Sequence, residues 1–135
     1  MTLGKSNIRK IVGQHYIWDV KDIATNKLNY IEQVRPLMES VLKSTPLDIV
    51  DRRFKQFEPT GVTGIYLLSE SHFSVHTWPE HNYAGLDLFS CISLDHDSLT
   101  ALIKDCWDTE RVELRVLSRG PKIMNVTRSE TTISH

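Results

Sequence analysis

Cysteine is scarce in this chain. Its 135 residues hold only Cys91 and Cys106, and neither sits in a Cys-x-x-Cys pair. Two such thiols build no disulfide framework, so reduced side chains are the expectation. No run of 18 apolar residues is present, and the first ten residues lack the apolar stretch of a signal peptide. A cytoplasmic protein with a loose polar segment over residues 1–12 is expected. Charge of one sign is also missing: 16 basic against 17 acidic residues give a net charge of −1. That excludes a basic field for nucleic acid and an acidic tail. No Gly-x-Ser-x-Gly elbow occurs, which counts against a serine hydrolase of that type. No lysine lies between Lys55 and Lys104, so the centre of the chain offers no Schiff-base partner for pyridoxal phosphate. With 40% hydrophobic and 24% charged residues, the composition is that of one globular domain.

What is present reads as strands and two helices. Residues 14–20 (QHYIWDV) mix aromatic and β-branched side chains and predict a first strand. Within 22–42, Ile31, Val34, Met38, Val41 and Leu42 have helical spacing, with Pro36 marking a start or a kink. Residues 47–57 alternate as a strand, and Glu58-Pro59-Thr60-Gly61 is turn chemistry. The apolar run 62–68 predicts a central strand. Residues 71–77 and 83–89 alternate, 97–107 predict a second helix, and 111–117 predict the strand that closes the sheet. The segment 121–135 is expected to fray. The fold class expected is α+β: an antiparallel sheet with two helices packed on one face, in a single domain over 13–120. Its second face then needs cover, and a second copy in a homodimer is the simplest source.

The chemistry concentrates in residues 69–91, which hold a Glu70–Ser71 bond, His72, His76 and His81, a Trp78-Pro79-Glu80 turn, and Cys91. A metal site does not suit the histidines. Residues four apart on a strand lie ~13 Å from each other at ~3.3 Å per residue, whereas zinc ligands approach within ~2 Å of the metal. A decarboxylase, by contrast, needs an electron sink beside the carbon that loses carbon dioxide, and a carbonyl supplies one by forming a Schiff base with the substrate amine. The Ser71 hydroxyl can attack the Glu70 carbonyl to give an ester, and elimination followed by hydrolysis then leaves a pyruvoyl group. Taken singly, Ser71 reads as structural, Cys91 as a small core residue, and Phe57 and Trp78 as core aromatics.

The Glu-Ser-His block at 70–72 and the His-Thr-Trp-Pro-Glu block at 76–80, taken together, resemble the prokaryotic-type S-adenosylmethionine decarboxylase proenzymes, over about residues 13–120. The resemblance implies autocleavage between Glu70 and Ser71 into chains 1–70 and 71–135, with Ser71 becoming the covalent pyruvoyl cofactor. It implies Thr63 and His76 as processing groups and Cys91 as the thiol that protonates the product carbon. Phe57, Trp78 and Glu80 would bind S-adenosyl-L-methionine, and the product would supply aminopropyl groups for spermidine. Thr63 stands where the family commonly has serine, and Ile92 where it commonly has glycine. Two other readings stay open: a pyruvoyl-dependent arginine or ornithine decarboxylase on the same fold, and a non-cleaving regulatory homologue. Ser71 and His76 are five residues apart, so on an unbroken strand they face opposite sides. Joint action needs a bend at Ser71 or reach across the sheet.

Overall fold

The computed structural model describes residues 9–123 and 129–133. Its strands are β1 (Arg9–Lys10), β2 (Gly13–Val20), β3 (Ile49–Gln56), β4 (Val62–Leu68), β5 (His72–Trp78), β6 (Tyr83–Ser90), β7 (Val112–Arg119), β8 (Lys122–Ile123) and β9 (Ser129–Ile133). The helices are α1 (Ile31–Lys43) and α2 (His96–Trp107). Seven strands form one antiparallel sheet in the order β3-β4-β5-β6-β2-β7-β9, and β1 pairs with β8 in a separate two-stranded ribbon.

Strand alternation sorts the side chains. Tyr16, Trp18 and Val20 of β2, Tyr66 of β4, Phe73 and Val75 of β5 and Leu86 of β6 are all fully buried on one face. Both helices pack there through Val34, Met38 and Val41 of α1 and Leu99, Ile103 and Trp107 of α2. Burying side chains of this size contributes about 1.5–3 kcal/mol each. Trp18 donates its indole N–H to Thr100 Oγ1 at 2.8 Å, so the largest ring in β2 is satisfied while it anchors α2. This is the α+β arrangement expected from the sequence.

Four local expectations change. The helix expected within 22–42 begins at Ile31, after a 3₁₀ turn at Thr25–Lys27. Its first N–H groups are taken by side chains: Gln33 accepts from Tyr30 N, and Gln56 accepts from Ile31 N. Pro36 lies inside α1 and neither starts nor ends it. The apolar run of β4 is not that of the central strand. β4 is second from the edge, and its Ile65 and Leu67 are 46% and 54% exposed on the face away from the helices. An apolar run therefore records two apolar faces, only one of which this chain covers. Finally, β7 does not close the sheet, because β9 pairs with it, and residues 122–123 and 129–133 of the expected loose tail are in strands.

Candidate active site

The Glu70–Ser71 bond sits in the tight turn between β4 and β5, closed by Leu68 N donating to Ser71 O at 2.9 Å. Ser71 is only 8% exposed, although Ser69 and Glu70 on its N-terminal side are exposed. The turn after β6 lies beside it. There the buried Ser90 hydroxyl accepts from Ile92 N at 3.1 Å and donates to Ile92 O at 2.8 Å, which holds the loop in shape around Cys91. Ile92 therefore fits this loop through its backbone, with its side chain 44% exposed. The Cys91 thiol donates to the Glu70 carbonyl oxygen at 3.0 Å. A serine hydroxyl, the carbonyl that precedes it and a thiol thus share one corner. A recess of about 180 Å³ lined by Pro46, Asp48, Glu70, Ser71 and Cys91 borders the corner on one side. A broad groove of about 1300 Å³ with His15, Leu67, His72 and Phe89 borders it on the other.

The remaining predicted residues gather elsewhere. Thr63 and His76 are direct cross-strand partners of β4 and β5, and Thr63 Oγ1 lies 3.1 Å from His76 Nδ1. The His76 ring leans on Trp78, with centroids 5.9 Å apart, and Trp78 in turn on Tyr83 at 5.5 Å. Pro79 opens a 3₁₀ turn that presents Glu80. The following Asn82 takes a left-handed conformation (φ 52°) and ties the turn to Ile23 by two hydrogen bonds. A concavity of about 330 Å³ is lined by Phe57, Thr63, His76, Trp78 and Glu80. Phe57 is 46% and Trp78 40% exposed, so both rings have faces free for a ligand and neither is the core aromatic that composition alone suggested.

The two groups lie at opposite ends of β5. Five residues at ~3.3 Å per residue put His76 ~16 Å along the strand from Ser71, far beyond hydrogen-bond reach. No bend at Ser71 shortens the gap, because Ser71 lies in the turn before the strand begins. His72 and His76 share the open face, with His72 stacked on Phe89 and His76 bonded to Thr63.

Sequence reasoning missed a polar network between these ends. Tyr83 donates to Asp19, which also receives Arg115 Nη2 at 3.3 Å, and His15 pairs with Asp87 at 3.1 Å. Burial and the hydrogen bond to Asp19 push the Tyr83 hydroxyl well above the ordinary phenol range, so it stays a donor at neutral pH. The available signal was the alternation of β2 and β6, which puts Asp19, Tyr83 and Asp87 on the face away from the helices. Asp87 taken alone reads only as an outward polar residue.

The family model for S-adenosylmethionine decarboxylase matches residues 14–120. The chain belongs to this family. The S-adenosylmethionine decarboxylase proenzyme of Persephonella marina is 42% identical over 84 residues, 62% of this chain and 63% of that protein. The proenzyme of Thermosipho africanus is 33% identical over 112 residues, 82% of this chain and 86% of that protein. The match spans about three-fifths of the length of the Persephonella and Aquifex aeolicus relatives, at 63% and 61%. Among solved structures, the adenosylmethionine decarboxylase of Aquifex aeolicus superposes with a TM-score of 0.75 at 28% identity, covering 87% of this chain and 98% of that one. The Trypanosoma brucei enzyme monomer shares the fold, with a TM-score of 0.58 at 15% identity over 78% of this chain and 45% of that one.

Proposed function

We propose that this chain is a self-cleaving, pyruvoyl-dependent decarboxylase of S-adenosyl-L-methionine, feeding aminopropyl transfer to spermidine. The observation that carries the reading is the Cys91 thiol donating to the Glu70 carbonyl beside a buried Ser71. Ser71 Oγ adds to that carbonyl carbon and the peptide nitrogen leaves, giving an ester. Negative charge develops on the Glu70 oxygen during this step, where a donor already in place lowers the barrier. Removal of the Ser71 α-proton then expels the Glu70 carboxylate. The resulting dehydroalanine takes up water and releases ammonia, leaving a pyruvoyl group at position 71. Once formed, that group supplies the electron sink for decarboxylation. The residues around it fit, since Ser71 is flanked by cavities on two sides and Cys91 holds a proton within reach. Phe57 and Trp78 offer aromatic faces to the adenine ring and the sulfonium, and Glu80 offers a carboxylate to the ribose hydroxyls.

The cleavage corner and the aromatic pocket are joined, in this reading, by a homodimer. A second copy stacked on the open face about a two-fold axis brings the Ser71 end of one sheet over the His76 end of the other. Sheets pack ~10 Å apart, close enough for side chains to meet. Exposed Ile65 and Leu67 would be buried there. A working Cys91 thiol also suits the reducing cytoplasm. Nothing in a net charge of −1 invites nucleic acid, and among the described residues no helix is long and apolar enough to cross a membrane.

Carbon dioxide release from carboxyl-labelled S-adenosylmethionine, arginine and ornithine, measured side by side on the cleaved protein, tests the substrate. Release from S-adenosylmethionine alone is expected. Release from arginine or ornithine alone would keep the pyruvoyl chemistry and overturn the substrate. A protein that stays one band on denaturing electrophoresis would overturn both.

A further inference from the structure

The loop that carries Phe57 is held by one side chain. Gln56, the last residue of β3, donates its amide N–H groups to the carbonyls of Asn29, Phe57 and Gly61 at 2.9, 3.1 and 3.0 Å. Its amide oxygen accepts from Ile31 N at 2.9 Å, at the first turn of α1. Backbone bonds reinforce the same knot: Phe57 N donates to Gly61 O at 2.8 Å, and Gly61 N to Asn29 O at 2.9 Å. Both polar groups of the Phe57 main chain are therefore fixed, one through Gly61 and one through Gln56. Gly61 itself has φ +118°, a conformation that favours glycine, while the space around it would admit a methyl group. The opposite wall of the pocket hangs from the same region, since Thr77 donates to Leu28 O at 2.8 Å and accepts from Val62 N at 2.9 Å. Yet the side chain so carefully seated, Phe57, packs into no core and is 46% exposed. A hydrogen-bond hub that orders the backbone of an exposed ring is what preorganised binding requires.

We infer that Gln56 is a positioning residue for substrate: it holds the 57–61 loop so that the Phe57 ring meets the adenine without an ordering cost at binding. The inference rests on the proposed role of Phe57. Gln56→Met keeps length and removes every hydrogen bond. Gln56→Glu keeps the acceptor for Ile31 N and loses the N–H donors to Phe57 O, Gly61 O and Asn29 O, so it separates loop-holding from the cap on Ile31 N. Gly61→Ala disturbs the same loop from its other end without touching α1.

The test measures self-cleavage, KM and kcat for S-adenosylmethionine in these three variants, in Phe57→Ala and in the double variant Gln56→Met/Phe57→Ala. All three loop variants should raise KM by about tenfold, with kcat and the extent of self-cleavage within about twofold of the parent. The double variant should match Phe57→Ala alone, since a positioning effect vanishes when the positioned ring is gone. A wild-type KM in Gln56→Glu, or Gln56→Met and Phe57→Ala effects that add in full, overturns the inference and leaves Gln56 as a helix cap. An unchanged KM in Phe57→Ala overturns the role of Phe57 itself. If Gln56→Met fails to fold, Gln56→Glu and Gly61→Ala still decide the outcome.

Discussion

Cys91 has its clearest structural partner before any chain cleavage. Its thiol donates to the Glu70 carbonyl, so in the proposed mechanism it would assist the acyl shift as well as any later proton transfer to product. A strong oxyanion donor is worth about 10²–10³ in rate, and a thiol is a weak one. Cys91→Ala is therefore expected to cleave itself more slowly, by about tenfold, and to decarboxylate poorly once cleaved. Timed denaturing gels measure the first effect and carbon dioxide release the second. Ser71→Ala should remain a single full-length band indefinitely, because no hydroxyl is left to form the ester. Cleavage of that variant at the same bond would remove Ser71 from the mechanism. These two residues were legible in sequence as motif members, but the contact of Cys91 with the Glu70 carbonyl beside Ser71 was not. Twenty residues separate Ser71 from Cys91, and only the pairing of β5 with β6 brings the two turns together.

Thr63 belongs at the same scale. Its hydroxyl contacts His76 Nδ1 and fixes the ring, which in the proposed mechanism would leave the other nitrogen to move the proton. Thr63→Val keeps the branched shape that suits a strand and removes this contact. Slower self-cleavage with an unchanged melting temperature is expected, within the ~10²–10⁴ range of acid–base assistance. A wild-type cleavage rate would reduce Thr63 to a strand residue.

At the scale of elements, Glu39 is the tie between α1 and the β3–β4 edge. It receives Arg35 Nε at 3.0 Å and the Tyr66 hydroxyl at 3.0 Å, with Arg52 of β3 at 3.5 Å. Burial alone would raise its carboxyl, but the hydrogen bonds from Arg35 and Tyr66 and the charges of Arg35 and Arg52 outweigh that and hold it below its ordinary value. A carboxyl lowered in the folded state stabilises the fold at pH above its ordinary value of about 4.3. That contribution is lost as pH falls through the lowered value. Glu39→Gln should accordingly be less stable than the parent at pH 7 and lose less on acidification to about pH 3. Urea midpoints across that range measure it, and parallel acid limbs for the two proteins would remove Glu39 from the balance. The sequence carried the elements themselves well, because period 2 in β2, β5 and β6 and the spacing of Val34, Met38 and Val41 reflect one buried face. It failed where apolarity had a second cause. Ile65 and Leu67 made β4 look central, yet they face away from both helices. The start of α1 was also hidden, because its first N–H groups are satisfied by Gln33 and by Gln56 from a distant strand.

For the whole molecule, the proposed site residues lie too far apart on one sheet to act together. Ser71 and Cys91 occupy one end of β5 and β6, whereas Thr63, His76 and Trp78 occupy the other. If a second copy covers the open face, each complete site takes Ser71 from one protomer and His76 from its partner. That arrangement makes a prediction no single-chain mechanism shares. Ser71→Ala chains cannot cleave for want of the nucleophile, and His76→Ala chains should cleave slowly for want of the processing histidine. Co-expressed or unfolded and refolded together, the two form mixed dimers. One composite site in each then pairs the intact Ser71 of the His76→Ala chain with the intact His76 of the Ser71→Ala chain. Cleavage should return to the His76→Ala chains only, and to about half of them where random assortment puts that share into mixed dimers. Differently tagged chains and intact-mass measurement identify which chain is cut. The expected contrast with His76→Ala alone is about 10²-fold or more in rate. Cleavage no faster in the mixture than in the His76→Ala protein alone, with mixed dimers verified by both tags, would put the histidine and the serine to work within one chain. It would then require the sheet to bend far more than its register of five paired residues between β4 and β5 allows.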